Sequence, residues 1–199
     1  MINVFVPIKS FKTSKQRLSQ VLSDNSRESL SESLVTNLIN KLITFPNNFI
    51  IYIVTDDRRI SFKDVTSIIT KKSLNKALQD SINKVCNDQD EVLIIHSDLP
   101  SINISDIEHI IKLFKDSENF IIPDRHNSGT NCLGLRWYQD IQLQFGNNSY
   151  KKFIDLFHND GINIKTINNK NIAFDLDTPE DLNFLTKDQF KKLNLSYDN

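Results

Sequence analysis

The chain alternates short β-branched or aromatic runs with longer stretches of helical periodicity, and this alternation narrows the fold more than any other feature. Ile2 to Pro7, Phe49 to Thr55, Glu91 to His96 and Phe120 to Pro123 read as strands. Between the first two, Ser26 to Thr44 sets Leu30, Leu34, Leu38 and Leu42 four apart on one helical face, and Leu74 to Val85 and Ile104 to Phe114 have similar spacing. Ser105 and Glu108 have the S-x-x-E spacing of a capping box. The expectation is an α/β fold: a Rossmann-like mixed sheet, largely parallel, with helices on both faces and ligands beyond the carboxyl ends of the strands. Cys132 to Trp137, Ile162 to Ile167 and Ile172 to Phe174 are further candidate strands, and Tyr150 to His158 a helix. Parallel and antiparallel pairing are not distinguishable in that later region. A last helix is expected near Thr178, with Pro179 at its first position and Glu180 and Asp181 near its positive end.

At 199 residues the chain fits one domain, expected over residues 1–190 with a polar tail at 191–199. The formal net charge of −1 offers no global attraction to nucleic acid or anionic lipid, so phosphate binding has to come from a local cluster. Cys86 and Cys132 have no partner at metal-ligand spacing, which fits a reducing, cytoplasmic setting. No signal peptide or membrane-spanning run is expected.

Five segments carry candidate chemistry. VPIKSFKTSKQRL places Lys9, Lys12, Lys15 and Arg17 around the end of the first strand, where they suit the phosphates of a nucleotide or make a solvated basic turn. No Walker-type P-loop is present, which disfavours P-loop hydrolysis. EVLIIHSDLP brings Asp98 to a carboxyl strand edge, where an acid suits a hard divalent cation or caps the next turn. His96 is expected to pack or make a hydrogen bond rather than bind metal. AFDLDTPEDL points Asp175 and Asp177 to one side of an extended segment, although Asp177 could equally cap the helix that follows. IPDRHNSGTNCLGL is a donor-rich loop suited to an oxyanion, with Gly129 permitting close approach, or an ordinary turn. FGNNSYKKF sets Gly146 and Ser149 just before a helix, as an anion seat or with Ser149 as its cap. No nucleophile elbow accompanies the Ser, His and Asp residues, and the aromatic residues are not interleaved with basic ones as a base-stacking surface would require.

Taken together and in this order, VPIKSFKTSKQRL, IIHSDLP, IPDRHNSGTN, FGNNS and DLDTPEDL resemble the 2-phospho-L-lactate guanylyltransferase family, also called CofC-like, from the N-terminus to about Leu185. The resemblance implies the nucleotidyltransferase or glycosyltransferase type A fold. It implies transfer of GMP from GTP to 2-phospho-L-lactate, or in some relatives phosphoenolpyruvate or 3-phosphoglycerate, with release of pyrophosphate in coenzyme F-420 biosynthesis. By the same resemblance, Asp98, Asp175 and Asp177 would hold Mg2+, and Thr130, Gly146 and Ser149 would contact the phospho-acid. Pro7, Lys9, Lys15, Arg17, Asn75 and Asp98 would face GTP, with Lys15, Arg17 and Asp98 catalytic. Homodimer formation is consistent with the resemblance but is not legible in surface patterning. Three departures are present: SLN at Ser73 to Asn75 where GLN is usual, FGNNS for FGxGS, and HNSGTN for HGTGTN. The alternatives are another nucleotidyltransferase or a type A glycosyltransferase of the same fold, or a non-catalytic nucleotide-binding protein. The absence of a Gly-rich L-x-G-G-x-S/T-x-R loop after the first strand counts against molybdenum-cofactor and sugar-phosphate nucleotidyltransferases.

Overall fold

The computed structural model describes residues 1–195, and its strands form one seven-stranded sheet. These are β1 (Ile2–Ile8), β2 (Phe49–Thr55), β3 (Thr66–Ile69), β4 (Glu91–Ile95), β5 (Phe120–Pro123), β6 (Thr130–Arg136) and β7 (Lys165–Thr166), in the order β3-β2-β1-β4-β6-β5-β7. Pairings are parallel except at β6, which runs antiparallel to both β4 and β5. The six residues between β5 and β6 are too few for a crossover, so these neighbours must form a hairpin.

The longer helices are α1 (Asp24–Leu42), α2 (Leu74–Val85), α3 (Ile104–Lys115) and α4 (Ser149–Asn159). Alternation along β1 sends Val4 and Val6 to one face and Phe5 to the other. On the first face lie Leu38 and Leu42 of α1 with Ile107 and Phe114 of α3; on the second lie Leu78 and Ile82 of α2 with Phe153 and Phe157 of α4. The leucines at 30, 34, 38 and 42 are all buried, as their spacing predicts. A third, smaller cluster joins Leu18, Leu22, Leu30, Leu34, Leu176 and Leu193. It clamps the basic segment after β1 against the acidic segment near residue 176.

Several expectations are revised. Ile172 to Phe174 is not a strand: Asn169 accepts the N–H groups of Asn171 and Ile172 and nucleates a short helix, α5 (Lys170–Ala173). The box before α3 is formed by Asn103 and Asp106, two residues before Ser105 and Glu108. Strand β3 carries no legible alternation, because it is a half-exposed edge paired only with β2. After α6 (Pro179–Leu182), α7 (Lys187–Lys192) leads into Leu193, which is 3% exposed, so packing continues past the boundary expected at residue 190. The remainder of the expected tail, 196–199, lies outside the described residues.

Candidate active site

A cleft opens over the carboxyl ends of β1, β2, β3 and β4, as the parallel part of the sheet requires. It consists of two adjoining cavities, about 360 and 520 Å3, whose shared lining is Pro7, Ile8, Lys9 and His96. The first is lined further by Lys15, Arg17, Asp98 and Asp177, the second by Val54, Leu74 and Ala77 together with Thr55, Asp56, Thr70, Lys71 and Lys72.

Lys15 organises the first cavity. It joins two 3-10 turns, Phe11–Thr13 and Gln16–Leu18, and adopts φ 51°, a left-handed conformation that costs a non-glycine residue about 1–2 kcal/mol. Burial of Leu18 in the leucine cluster over-determines this strained geometry. Its Nζ donates to Asp98 Oδ2 at 2.9 Å and to Asp177 Oδ1 at 3.0 Å, while Arg17 Nη1 reaches Asp177 Oδ2 at 3.3 Å. Burial pulls the Lys15 ammonium toward deprotonation, but the two carboxylates outweigh it and hold its pKa above the ordinary value. Burial pushes the Asp98 carboxyl up, and the charges of Lys15 and then His96 bring it below its usual range.

Asp175 completes the group. Leu176, fully buried, donates its backbone N–H to Asp98 O at 3.0 Å, which holds its two neighbours beside Asp98; Asp177 lines the first cavity, whereas Asp175 lines neither. Burial and then the Asp98 charge push the Asp175 carboxyl above its usual range, partly offset by Asn131 Nδ2, which donates to Asp175 Oδ1 at 3.3 Å. Asp98 Oδ1 is enclosed without a hydrogen-bond partner. An unpaired carboxylate oxygen, a second carboxyl destabilised by its neighbour's charge and an all-oxygen donor set fit a hard cation. With the Lys15 ammonium between Asp98 and Asp177, no group of three or more His, Cys, Asp or Glu among the described residues is arranged to hold a metal ion.

Asp177 does not cap the following helix. Asp181, 1% exposed, accepts the N–H groups of Asp177 and Thr178, both at 2.7 Å, and pairs with Arg125. Its carboxyl is raised by burial but held below its usual range by those two amides and Arg125. The side chain of Asp177 is thereby left to Lys15 and Arg17.

The two polar loops are built differently from their sequence reading. Asp124 accepts the backbone N–H groups of His126, Ser128 and Gly129, so three amides of the donor-rich loop are already engaged. Gly129 is needed because a Cβ there would lie 2.9 Å from Asp124 Oδ2; the close approach is made by a side chain of the same loop. The Arg125 guanidinium lies 5.2 Å from the ring centroids of both Phe174 and Phe184. Thr130, Gly146 and Ser149 do come together: Ser149 Oγ donates to Thr130 Oγ1 at 3.2 Å, and Gly146 O accepts Ser149 N–H at 3.0 Å. Both hydroxyls are buried and line neither cavity of the cleft. Ser149 is the first residue of α4 rather than its cap. Asn127 (φ 53°) and Asn148 (φ 57°) occupy the two positions where the resembling family has glycine, and Asn is a residue that tolerates this conformation. Ser73, at φ −59°, needs no glycine. Asn75 is turned to another task, pairing through its amide with both backbone groups of Phe145 at 2.8 and 3.0 Å, and it lines neither cavity. Asp124 and Asp181 support the site without a clear mark in the sequence beyond an acidic residue at the third position of a helix, and Asn131, a donor of the loop around Gly129, serves Asp175.

A family model described as guanylyl transferase, CofC-like, matches residues 2–190. The chain belongs to this family. Among curated relatives, a phosphoenolpyruvate guanylyltransferase of Thermobaculum terrenum is 28% identical, with 91% of this chain and 81% of the relative covered. A 2-phospho-L-lactate guanylyltransferase of a Methanocaldococcus species is 30% identical, with 91% and 79% covered. The CofC-like chain is thus an enzyme of the nucleotidyltransferase class. Among solved structures, a protein of Desulfovibrio desulfuricans G20 provisionally assigned as a nucleotide-diphospho-sugar transferase superimposes with a TM-score of 0.77 at 16% identity, covering 98% of this chain and 95% of its own. CMP:2-keto-3-deoxy-manno-octonic acid synthetase complexed with CTP gives 0.55 at 14% identity, with 92% and 96% covered. Both likenesses bear out the nucleotidyltransferase fold.

Proposed function

We propose that this enzyme transfers GMP from GTP to a small phosphorylated carboxylic acid, 2-phospho-L-lactate, phosphoenolpyruvate or 3-phosphoglycerate, releasing pyrophosphate as a step of coenzyme F-420 biosynthesis in the cytoplasm. The observation that carries this reading is the Lys15 ammonium held between Asp98 and Asp177 at the edge of a cleft lined by Lys9 and Arg17. Paired acids beside cations suit a reaction whose main difficulty is bringing two polyanions together. The second cavity, where Val54, Leu74 and Ala77 offer a face to a base and Thr55, Asp56 and Thr70 offer hydrogen bonds, would take guanine, and the cavity holding Lys15 and Arg17 the triphosphate.

Asp98, Asp175 and Asp177 would hold Mg2+, which when bound supplies neutralisation of charge on the phosphates. Lys15 and Arg17 would then turn from the carboxylates to the phosphates of GTP and the departing pyrophosphate. No protein base is required, because a phosphate monoester has its second pKa near about 6 and is largely ionised at neutral pH. Thr130, Gly146 and Ser149 would receive the acid after the Thr130 and Ser149 hydroxyls part. Buried, unpaired Cys86 and Cys132 suit a reducing compartment, burial pushing the Cys86 thiol up to about 12. Among the described residues, no helix is long and apolar enough to cross a membrane.

The test is to incubate the protein with GTP, Mg2+ and each acid in turn and to measure pyrophosphate. Release is expected with one acid, with loss of release in EDTA and in a folded Asp98→Asn variant; no release with any of the three acids would refute the proposal.

A further inference from the structure

His96 follows β4 directly, its backbone N–H donating to Asn131 O at 2.9 Å, and it stands where the two cavities meet. Its ring packs on Phe145, with centroids 5.4 Å apart, yet Nε2 is enclosed and has no hydrogen-bond partner among the described residues. A ring nitrogen always carries a donor or an acceptor. Leaving such a group unpaired away from water is destabilising, and a bound partner would recover that loss. Packing on Phe145 does not require a nitrogen, because a phenyl ring could make the same aromatic contact.

We infer that His96 is a nucleotide-binding residue that hydrogen-bonds the α-phosphate of GTP. The inference rests on the proposal that the cleft takes GTP. A purine against Val54, Leu74 and Ala77 in the second cavity and terminal phosphates beside Lys15 and Arg17 in the first leave the ribose and α-phosphate at the junction. There the shared lining is two apolar residues, Lys9 and His96. The α-phosphorus is the reacting atom: its bond to an acceptor phosphate oxygen forms as its bond to pyrophosphate breaks. His96 holds a non-bridging oxygen through both, with no net proton transfer, so it orients the reacting centre rather than acting as a base.

The experiment compares His96→Phe, which keeps an aromatic ring against Phe145, with His96→Gln, which restores hydrogen bonding, by titrating wild type and both variants with GTP and with GMP in the presence of Mg2+. His96→Phe is expected to weaken both nucleotides by the same factor, about tenfold for a lost bond to a charged group, and His96→Gln to recover most of that loss. The thermal midpoint of His96→Phe should change little, since an unpaired buried nitrogen and its charge contact with Asp98 are removed together. Unchanged binding in His96→Phe, a loss confined to GTP, or equal losses in both variants would overturn the assignment. A lower midpoint with unchanged binding would overturn it too, identifying a buried water as the missing partner. Wild-type protein that binds neither nucleotide would instead sink the GTP reading on which the inference stands.

Discussion

Replacing Lys15 with Met keeps a long side chain in the buried channel and removes the charge that holds two carboxylates together. Removing one member of a buried ion pair costs about 3–5 kcal/mol. The Asp177 side chain is 39% exposed, so water screens its share and most of the loss falls on Asp98, giving about 3 kcal/mol at neutral pH. For a domain of this size that lowers the unfolding midpoint by about 6–12 °C, to be read by calorimetry in EDTA. The pH dependence follows from the directions of the shifts. The folded pKa of Asp98 is depressed, so its stabilisation is complete above the unfolded value of about 3.9 and is lost as pH falls through the folded value. That of Lys15 is raised, so its stabilisation is present below about 10.4 and is lost as pH rises through the folded value. In Lys15→Met the largest influence opposing the burial of Asp98 is gone, so its carboxyl pKa rises. The variant should therefore recover stability on mild acidification and narrow its gap to wild type. If Mg2+ takes the place left by the ammonium, it should raise the midpoint of the variant more than that of wild type, by about 2.7 kcal/mol at a hundredfold excess over Kd. A variant that melts with wild type in EDTA at neutral pH would refute the claim that Lys15 neutralises the acid group.

Asp181→Ala leaves two backbone N–H groups and Arg125 without their acceptor, so its chemical-denaturation midpoint should reflect a loss of about 3–5 kcal/mol, with turnover falling because Asp177 loses its support. The depressed folded pKa of Asp181 places its contribution above the unfolded carboxylate value, and acid titration of wild type should remove it as pH falls through the folded value. Gly134→Ala puts a methyl 2.2 Å from Cε1 of the fully buried Phe120, and should destabilise by about 1–3 kcal/mol or more in thermal melts. At Asn148, φ 57°, Gly should be tolerated within about 0.5 kcal/mol, whereas Val should lose about 1–2 kcal/mol. Equal stability of the two variants would refute the left-handed requirement.

Local chemistry made much of the framework legible. Runs such as FIIYIVT and the four-residue leucine spacing of α1 mark elements whose periodicity alone decides which face is buried, and the same alternation puts Leu176 in the core between Asp175 and Asp177. The two asparagines at glycine positions are also readable in this way, since backbone sterics act within a single residue. Element ends were less legible wherever a side chain competed with the ladder, as Asn169 does in turning a strand-like run into α5.

Hydrophobic period and strand polarity are local properties, so the order of residues alone implies an α/β sheet with acids and cations gathered at the carboxyl ends of its strands. It takes the folded chain to set Lys15 against acids 83 and 162 residues away, to make Asp181 rather than Asp177 the support of the following turn, and to tie Asn75 to a loop instead of the cleft. These are choices among competing partners for a limited number of charges and amides. They are settled by which groups the leucine cluster and the sheet order bring within hydrogen-bonding distance, and no spacing along the chain encodes that distance.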